Sequence, residues 1–285
     1  MSRKPQTWRV AAVQMTSTTD RERNLGVAEY LARRAADAGA SLVAFPEHFS
    51  FMPDDGPSAR HAETAEGPLA NWLRNLATEL GCYLLAGSFI EKIGRQRRAF
   101  NTSVLVGPTG EIAATYRKIH LFDARPGGLQ GLMESRSTFR GDRPVTADTP
   151  LGRLGLSVCY DLRFPELYRH LALDGADVLL VPSAFTDDTG RHHWMPLLRA
   201  RAIENQCWVV APAQAGRHNP RRASHGHTAV IDPWGDVVAL LESGEGVVSA
   251  EIDLDRLAKI RAGLPCLDHS RPELLGRAPS RGDRP

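Results

Sequence analysis

The chain has 285 residues, of which 42% are hydrophobic and 24% are charged, and its formal net charge is only +2. This composition is typical of a soluble globular protein with a sizeable core, and so small a net charge argues against nucleic acid as the main partner. No apolar stretch approaches the roughly 20 residues that cross a membrane, and the first ten residues lack the apolar segment of a signal peptide.

Buried strands and amphipathic helices alternate in the first half of the chain. "WRVAAVQM" predicts a buried strand, and the apolar spacing in "RERNLGVAEYLARRAADAGA" predicts a helix that stops at Gly39. "SLVAF", closed by Pro46, predicts a second buried strand, and a helix is predicted from Pro68 to Leu80. Further strands are predicted at residues 82–90, 102–106 and 112–116.

The second half repeats this alternation. "RLGLSVC" predicts a strand, followed by a helix around residues 166–173 and the strand "VLLVP". A helix from about Trp194 to Asn205 leads to the strand "CWVVAPA". Three more strands ("HTAVID", "VVALL" and "GVVSAEID") and a helix over 253–261 complete the pattern.

Two segments, 37–47 and 173–183, resemble each other as "DAGASLVAFPE" and "LDGADVLLVPS", although chance similarity between such units is an alternative. Strand–helix–strand units in both halves predict a single α/β domain over residues 1–265. Residues 266–285 form a polar tail rich in Arg and Pro. Parallel sheets bind ligands beyond the carboxyl ends of their strands, and Glu47 and Cys159 each follow such a strand.

Cys159 is the first candidate for chemistry. Free cysteines are often buried for structural reasons, and a nucleophilic thiol needs a nearby base or cation. Asp161 and Arg163 are close in sequence and could supply them, as could residues far away in the chain.

Two charged residues that follow predicted strands are further candidates. Glu47, in "FPEHF", is either a solvated strand-end carboxylate or a desolvated base with a raised pKa. Lys118, in "YRKIHLFD", is either a solvated charge or a cation that stabilises an oxyanion. His120 offers a Cys–His alternative or a structural hydrogen bond.

The cysteine and histidine patterns predict neither metal nor disulfides. The four cysteines form no C-x-x-C pair, which favours a reducing, cytoplasmic location. The pairs His192–His193 and His225–His227 match no metal-binding motif. The cysteines are Cys82, Cys159, Cys207 and Cys266.

In this order, "FPE", "YRKIHLF" and "GLSVCYDLRFPE" resemble the Glu-Lys-Cys triad motifs of the nitrilase superfamily of carbon–nitrogen hydrolases. The resemblance extends from "VAAVQM" to "IDLDRL". "HWMPLLRARAIENQCWVVAPAQ" is similar to the Nit amidases, and "AGRHNPRRASHGHTAVIDPWG" to the deaminated-glutathione amidases more than to the ω-amidases.

The resemblance implies a four-layer α-β-β-α sandwich, a homodimer or larger homo-oligomer, a small amide substrate and no cofactor. Cys159 would attack the amide carbonyl, Glu47 would take the thiol proton, and Lys118 and the Tyr160 N–H would stabilise the oxyanion. Glu134 would orient Lys118 or the substrate. The cycle acylates the thiol, releases ammonia and hydrolyses the thioester.

The predicted substrate contacts are less specific. Because guanidinium groups match carboxylates, arginines near the pocket suit an acidic substrate, although the arginines at 217–222 could equally form a solvated loop, and Arg163 could instead pair with Asp161 or Glu166. An ω-amidase, or a binding protein that kept the fold, is the competing function. The predicted contacts are Arg163, Ser183, Phe185, Thr186 and Arg217.

Overall fold

Five α-helices lie in the part of the chain that the computed structural model describes, residues 7–54, 59–94, 96–124 and 132–271. None of these described helices is long and apolar enough to cross a bilayer. The helices are α1 Arg21–Asp37, α2 Pro68–Leu80, α3 Pro165–Leu173, α4 Asp187–Asn205 and α5 Leu254–Gly263.

The ends of the first two helices follow from single residues. The Asp20 carboxylate accepts a hydrogen bond from the Arg23 N–H (3.0 Å) and caps the start of α1. Gly39, after the end of α1, has a φ of 83°, which confirms the predicted stop. Pro68 begins α2, and Gly81 ends it with a φ of 64°.

Two mixed sheets contain most of the strands. The first has the order β18-β1-β2-β3-β5-β4, with β6 and β9 also paired to β5, and the second has the order β10-β11-β12-β13-β16-β17. The strands are β1 Thr7–Gln14, β2 Leu42–Ala44, β3 Tyr83–Leu85, β4 Phe89–Glu91, β5 Ala99–Val106, β6 Ile112–Arg117, β7 Asp123–Ala124, β8 Leu132–Met133, β9 Thr138–Phe139, β10 Val145–Thr149, β11 Gly152–Leu156, β12 Val178–Leu180, β13 Trp208–Ala211, β14 Ala215–Asn219, β15 Arg222–His225, β16 Thr228–Ile231, β17 Val237–Leu241 and β18 Gly246–Asp253.

The two halves of the chain build their sheets alike. Strands β1, β2 and β3 run parallel in the first sheet, and β11, β12 and β13 run parallel in the second. The two similar sequence segments supply β2 and β12, the middle strand of each parallel set. Their carboxyl ends lead to Glu47 and to Ser183.

Alternation along the strands builds two cores. Val10 and Ala12 of β1 join residues of the second sheet in one core, to which α3 and α4 also contribute. Ala11 and Val13 face the other way and pack against α1 and α2. The order of layers is therefore helices, sheet, sheet, helices, which confirms the α-β-β-α sandwich.

Three predicted elements differ from the structure. The strand predicted over 82–90 is two strands, because Gly87 turns the chain with a φ of 50° against the Phe45 and Pro46 carbonyls, where a Cβ would lie about 2.1 Å from the Pro46 oxygen. Helix α4 begins at Asp187, well before Trp194, because Gly190 lets it pack against His225 of β15. Cys159 also lies beyond the end of β11 rather than within the predicted strand.

The predicted domain boundary remains a prediction. Leu267, just beyond it, still packs against the core between the sheets. Most of the predicted tail, residues 272–285, lies outside the described residues.

Candidate active site

Glu47, Lys118 and Cys159 each follow a strand and meet at one edge of the sandwich. Glu47 comes after β2, Lys118 directly after β6, and Cys159 after β11. All three are buried, with exposed fractions of 3%, 2% and 9%. The structure therefore brings together three residues that are far apart in sequence.

The Glu47 carboxylate is held on both oxygens. Its Oε1 accepts hydrogen bonds from Lys118 Nζ (3.1 Å) and Asn101 Nδ2 (2.9 Å), and its Oε2 accepts one from the Ala184 N–H (3.0 Å). The Cys159 thiol is also hydrogen-bonded to this carboxylate. One carboxylate therefore contacts the thiol and the ammonium together.

Glu134 is a second buried carboxylate at the site. Its Oε2 accepts hydrogen bonds from Lys118 Nζ (2.9 Å) and the Phe122 N–H (2.7 Å). Asn101 Nδ2 contacts its Oε1 (3.2 Å) as well as Glu47. An ammonium has three N–H donors. With two of them directed to Glu47 and Glu134, Lys118 keeps one for another acceptor.

The backbone at Cys159 is unusual for a residue with a side chain. Its φ is 51°, in the left-handed region, and it starts a single 3-10 turn over Cys159–Arg163. Its N–H donates to the Pro182 carbonyl (2.9 Å) at the end of the neighbouring strand. This turn points the thiol out of the sheet and towards Glu47.

Asp161 holds that turn in place. Its side chain is fully buried, and its Oδ2 accepts hydrogen bonds from the Val158 N–H (2.9 Å) and Tyr116 Oη (2.7 Å). Its Oδ1 accepts one from the His120 N–H (3.0 Å) and contacts His120 Nδ1 (2.7 Å). The acid beside the thiol therefore shapes the backbone.

Mutual interactions set the protonation of the three groups. Burial is the largest single influence on Glu47 and raises its pKa, but Lys118, His48 and Cys159 together outweigh it, so the pKa of Glu47 falls to about 2. Burial lowers the pKa of Lys118, but Glu134 and Glu47 hold it well above its ordinary value. Burial and Glu47 raise the pKa of Cys159 well above that of a free thiol. At neutral pH the site holds a carboxylate, an ammonium and a neutral thiol.

Lys118→Met should destabilise the fold because it leaves two buried carboxylates without their cation. Removal of one partner from a buried ion pair costs about 3 to 5 kcal/mol, and we expect a loss of about that size in the free energy of unfolding at pH 8. Without the ammonium, burial raises the pKa of the Glu47 carboxyl above that of the unfolded chain. The loss should therefore shrink as the pH falls towards 4. Urea unfolding at both pH values measures it.

Lys92→Met is the matched control, because Lys92 is exposed. We expect it to change the free energy of unfolding by less than about 0.5 kcal/mol. A Lys118→Met loss that is equal at pH 8 and pH 4 would show that the carboxylates do not depend on this ammonium.

His120 is placed as a structural residue. Besides its contacts to Asp161, its ring stacks on Phe164 with the ring centroids 3.7 Å apart. The Glu47 carboxylate, and not this imidazole, is the hydrogen-bond partner of the thiol. The Cys–His alternative therefore has no support in this geometry.

The predicted substrate contacts lie in different surroundings. The Arg163 guanidinium lies over the Phe185 ring (5.2 Å to its centroid) and contacts His193 Nδ1 (3.1 Å). Among the described residues this histidine is its only polar partner. The alternative of an ion pair with Asp161 or Glu166 is therefore not seen among them. Phe185 is buried beside Ala184, whose N–H holds Glu47.

The other three predicted substrate contacts are Ser183, Thr186 and Arg217, and they differ in burial. Ser183 is buried, and its Oγ donates to Val181 O (3.1 Å). Thr186 is half-buried at the start of α4. Arg217 is exposed and donates to Pro220 O (3.1 Å) within its own hairpin, so the structure does not bring it to Glu47 and Cys159.

Three contributors to the site were missed in the sequence. Asn101 bridges both carboxylates, the Ala184 N–H binds Glu47, and Gln214 Nε2 donates to the Glu47 carbonyl (3.0 Å). A signal existed for Asn101 alone, because it is a polar residue in the apolar run "AFNTSVLV". Backbone donors leave no trace in a sequence.

Within the described residues, no group of three or more His, Cys, Asp or Glu side chains is arranged to hold a metal ion. His225 and His227 stack on each other (4.0 Å between centroids), and His225 also lies near Asp187.

Known proteins are similar to this chain over most of its length. A model of the carbon-nitrogen hydrolase family matches residues 9–262. Deaminated glutathione amidase of Homo sapiens is 46% identical over 274 residues, 94% of this chain and 83% of that protein. The enzyme of that name from Synechocystis sp. (strain PCC 6803 / GT-S) is 44% identical over 91% of this chain and 96% of that protein. The crystal structure of the C. elegans NitFhit protein matches with a TM-score of 0.86 and 39% identity, over 94% of this chain and 66% of that chain.

Proposed function

The chain belongs to the carbon–nitrogen hydrolase family, and from this premise we propose that it is an amidase of deaminated glutathione. It would hydrolyse the amide between the 2-oxo acyl group and the cysteinyl part through a thioester on Cys159. The observation that carries the proposal is the buried thiol hydrogen-bonded to Glu47, which is itself paired with Lys118. The relatives named deaminated glutathione amidase support the choice of substrate.

The first half of the reaction forms the thioester. As Cys159 Sγ attacks the amide carbonyl, its proton passes to the Glu47 carboxylate, and a negative charge develops on the carbonyl oxygen. The free N–H of Lys118 and the backbone N–H of Tyr160 stabilise that oxyanion. The C–N bond then breaks, and Glu47 gives its proton to the leaving nitrogen.

The second half releases the acid. Glu47, again a carboxylate, takes a proton from water as the water attacks the thioester, and the C–S bond breaks with return of a proton to the thiol. The leaving group from deaminated glutathione is the amine of the cysteinyl part and not ammonia. Glu134 and Asn101 hold Lys118 and Glu47 in position throughout, since both residues contact them directly.

The thiol is neutral at rest, which gives Glu47 its role. A thiol with a raised pKa is a poor nucleophile until a base removes its proton. Glu47 is ionised and hydrogen-bonded to that thiol, so the proton can move along an existing hydrogen bond. The site supports general-base catalysis rather than a stored thiolate.

The competing function is an ω-amidase that acts on 2-oxoglutaramate with the same residues. We expect kcat/KM for deaminated glutathione to exceed that for 2-oxoglutaramate by at least about tenfold, because contacts with the cysteinylglycine part add transition-state binding. Steady-state kinetics on both amides measure the ratio. Comparable or faster hydrolysis of 2-oxoglutaramate would favour the ω-amidase instead.

We also propose a cytoplasmic homo-oligomer with one catalytic domain over residues 1–265. Four cysteines without disulfides are compatible with a reducing compartment. Trp234 and Leu264 line one cleft and are 57% and 49% exposed, which suits a contact with a second copy. Gel filtration with light scattering measures the assembly.

A further inference from the structure

The hairpin formed by β14 and β15 is fastened to the site at both ends. Gln214, directly before β14, donates to the Glu47 carbonyl (3.0 Å), and the N–H of His225, which ends β15, donates to Phe185 O (3.0 Å). Phe185 directly follows Ala184, which holds the Glu47 carboxylate. Side chains of this hairpin are therefore positioned relative to the base.

A buried histidine fixes the interior of the hairpin. His218 Nδ1 contacts Ser17 O (2.8 Å), and its Nε2 contacts Ser224 Oγ on the facing strand (2.8 Å). Ser224 also bridges to Thr186 at the start of α4. Arg222, opposite Asn219 in the register, thus belongs to a braced segment rather than to a loose loop.

Arg222 carries its charge into the site. Its guanidinium interacts electrostatically with Glu47, Cys159 and Glu134 and with His48 beside them. The residue is half-buried, and burial lowers the pKa of Arg222. The Arg222 charge is therefore partly removed from water and acts on the groups around the thiol.

Within the part of the chain that the structure describes, this guanidinium has no fixed partner. Among the described residues, no side chain forms an ion pair or a hydrogen bond with it. The other arginines that face a carboxylate at the core, such as Arg117 with Glu91 (2.7 Å), are paired directly. Partial removal of a cation from water costs free energy unless a ligand supplies the missing partner.

The charge balance at the site also indicates that Arg222 helps an anionic ligand to bind. Glu47 and Glu134 outnumber the single Lys118 ammonium, so the three together carry a net charge of about −1 and would repel an anionic substrate. Arg222 brings this sum to zero. Its five planar donors also match a carboxylate in two parallel hydrogen bonds.

We propose that Arg222 binds the carboxylate of the acyl half of the substrate and thereby selects amides of dicarboxylic acids. The inference rests on the proposed function, since deaminated glutathione has one carboxylate in its 2-oxo acid half and one on its glycine. The first lies about 5 Å from the attacked carbonyl along the chain, and the second lies about 7 Å or more away. A guanidinium whose charge acts on Cys159 and Glu134 fits the nearer one.

Three amides separate the roles that Arg222 could have. They are deaminated glutathione, 2-oxoglutaramate and pentanamide, which has the same acyl length but no carboxylate. We expect Arg222→Met to lower kcat/KM about 100-fold for both acids, mainly through KM, because the contact is present before and during the reaction. Pentanamide should change by less than about threefold. Arg222→Lys should lower kcat/KM about tenfold for the two acids, because lysine keeps the charge but cannot form two parallel hydrogen bonds to a carboxylate.

The control is Arg9→Met, which removes an exposed arginine from β1 and should leave all three rates unchanged. Equal losses for all three amides in Arg222→Met would mean that the residue only balances charge or supports the fold. A loss confined to deaminated glutathione would place Arg222 on the glycine carboxylate. Either result overturns the proposal.

A binding measurement tests Arg222 without turnover. 2-Oxoglutarate, the acyl product, should slow alkylation of Cys159 by iodoacetamide in the natural chain, and Arg222→Met should need about 100 times more of it for equal protection. Failure of 2-oxoglutarate to protect the natural chain, or equal protection of both chains, refutes the proposal. If deaminated glutathione is not hydrolysed but protection depends on Arg222, only the proposed function fails.

Discussion

Cys159→Ala is expected to lower kcat/KM for deaminated glutathione by at least about 10⁴-fold. Alanine fits the same turn but cannot form a thioester, and the groups that remain only bind and polarise the amide. The residue is buried and its neighbours are fixed, so the fold should survive the loss of one sulfur atom. Steady-state kinetics measure the loss, and circular dichroism reports whether the fold is intact.

The acyl-enzyme gives a second readout for the same variant. Rapid quenching followed by intact-mass analysis should show the mass of the 2-oxo acyl group on the natural chain and none on Cys159→Ala. Cys207→Ala is the matched control, since Cys207 is also buried and burial raises its pKa to about 11, but its thiol donates to Ala176 O (3.1 Å) far along the chain from Glu47. Retained turnover in Cys159→Ala, or an adduct that disappears in Cys207→Ala, would place the nucleophile elsewhere.

Much of the frame around the thiol could be predicted from the sequence because apolar runs specify strands directly. The segments at 37–47 and 173–183 each predict a buried strand followed by proline, and they supply β2 and β12. Glu47 follows β2, and the Ala184 N–H, which follows β12, donates to its carboxylate. Each strand lies in the parallel set of its own sheet, and ligands bind beyond the carboxyl ends of such strands. The meeting of the two ends also depends on how the two sheets pack against each other.

The hairpin over the site could not be predicted in the same way. "AGRHNPRRASHG" has neither apolar alternation nor helical spacing, and β14 and β15 form because His218 and Ser224 pair across them and Gln214 anchors them to Glu47. Such long-range polar contacts leave no periodic signal. For the same reason the sequence does not show which arginine of the hairpin faces the site, since Arg217 and Arg222 occur in the same polar segment.

The turn at Cys159 combines local and distant control. The left-handed φ of Cys159 is a strained conformation that persists only where surrounding contacts impose it. Asp161 supplies those contacts through Val158, Tyr116 and His120, two of which come from the first half of the chain. The charged residues behind the thiol therefore set its direction, while its deprotonation depends on Glu47.

Glu47→Gln should lower kcat/KM by about 10³-fold, whereas His120→Ala should lower it by no more than about tenfold. Glutamine is similar in size to glutamate but cannot accept the thiol proton, and general-base catalysis contributes about 10² to 10⁴. His120 acts only through Asp161 and the turn, where the Val158 and Tyr116 contacts remain after its removal. Kinetics on the two variants with one substrate give the comparison.

The pH dependence of the natural enzyme tests the same assignment. The pKa of Glu47 is lowered to about 2 and the pKa values of His48 and His218 are lowered to about 4, so none of these groups changes charge between pH 5.5 and 7.5. Because kcat/KM reports the ionisation of the free enzyme, we expect it to stay level across that range. An imidazole base with an ordinary pKa would lose activity as the pH falls through about 6.5. Such an acid limb, together with a His120→Ala loss larger than that of Glu47→Gln, would restore the Cys–His mechanism.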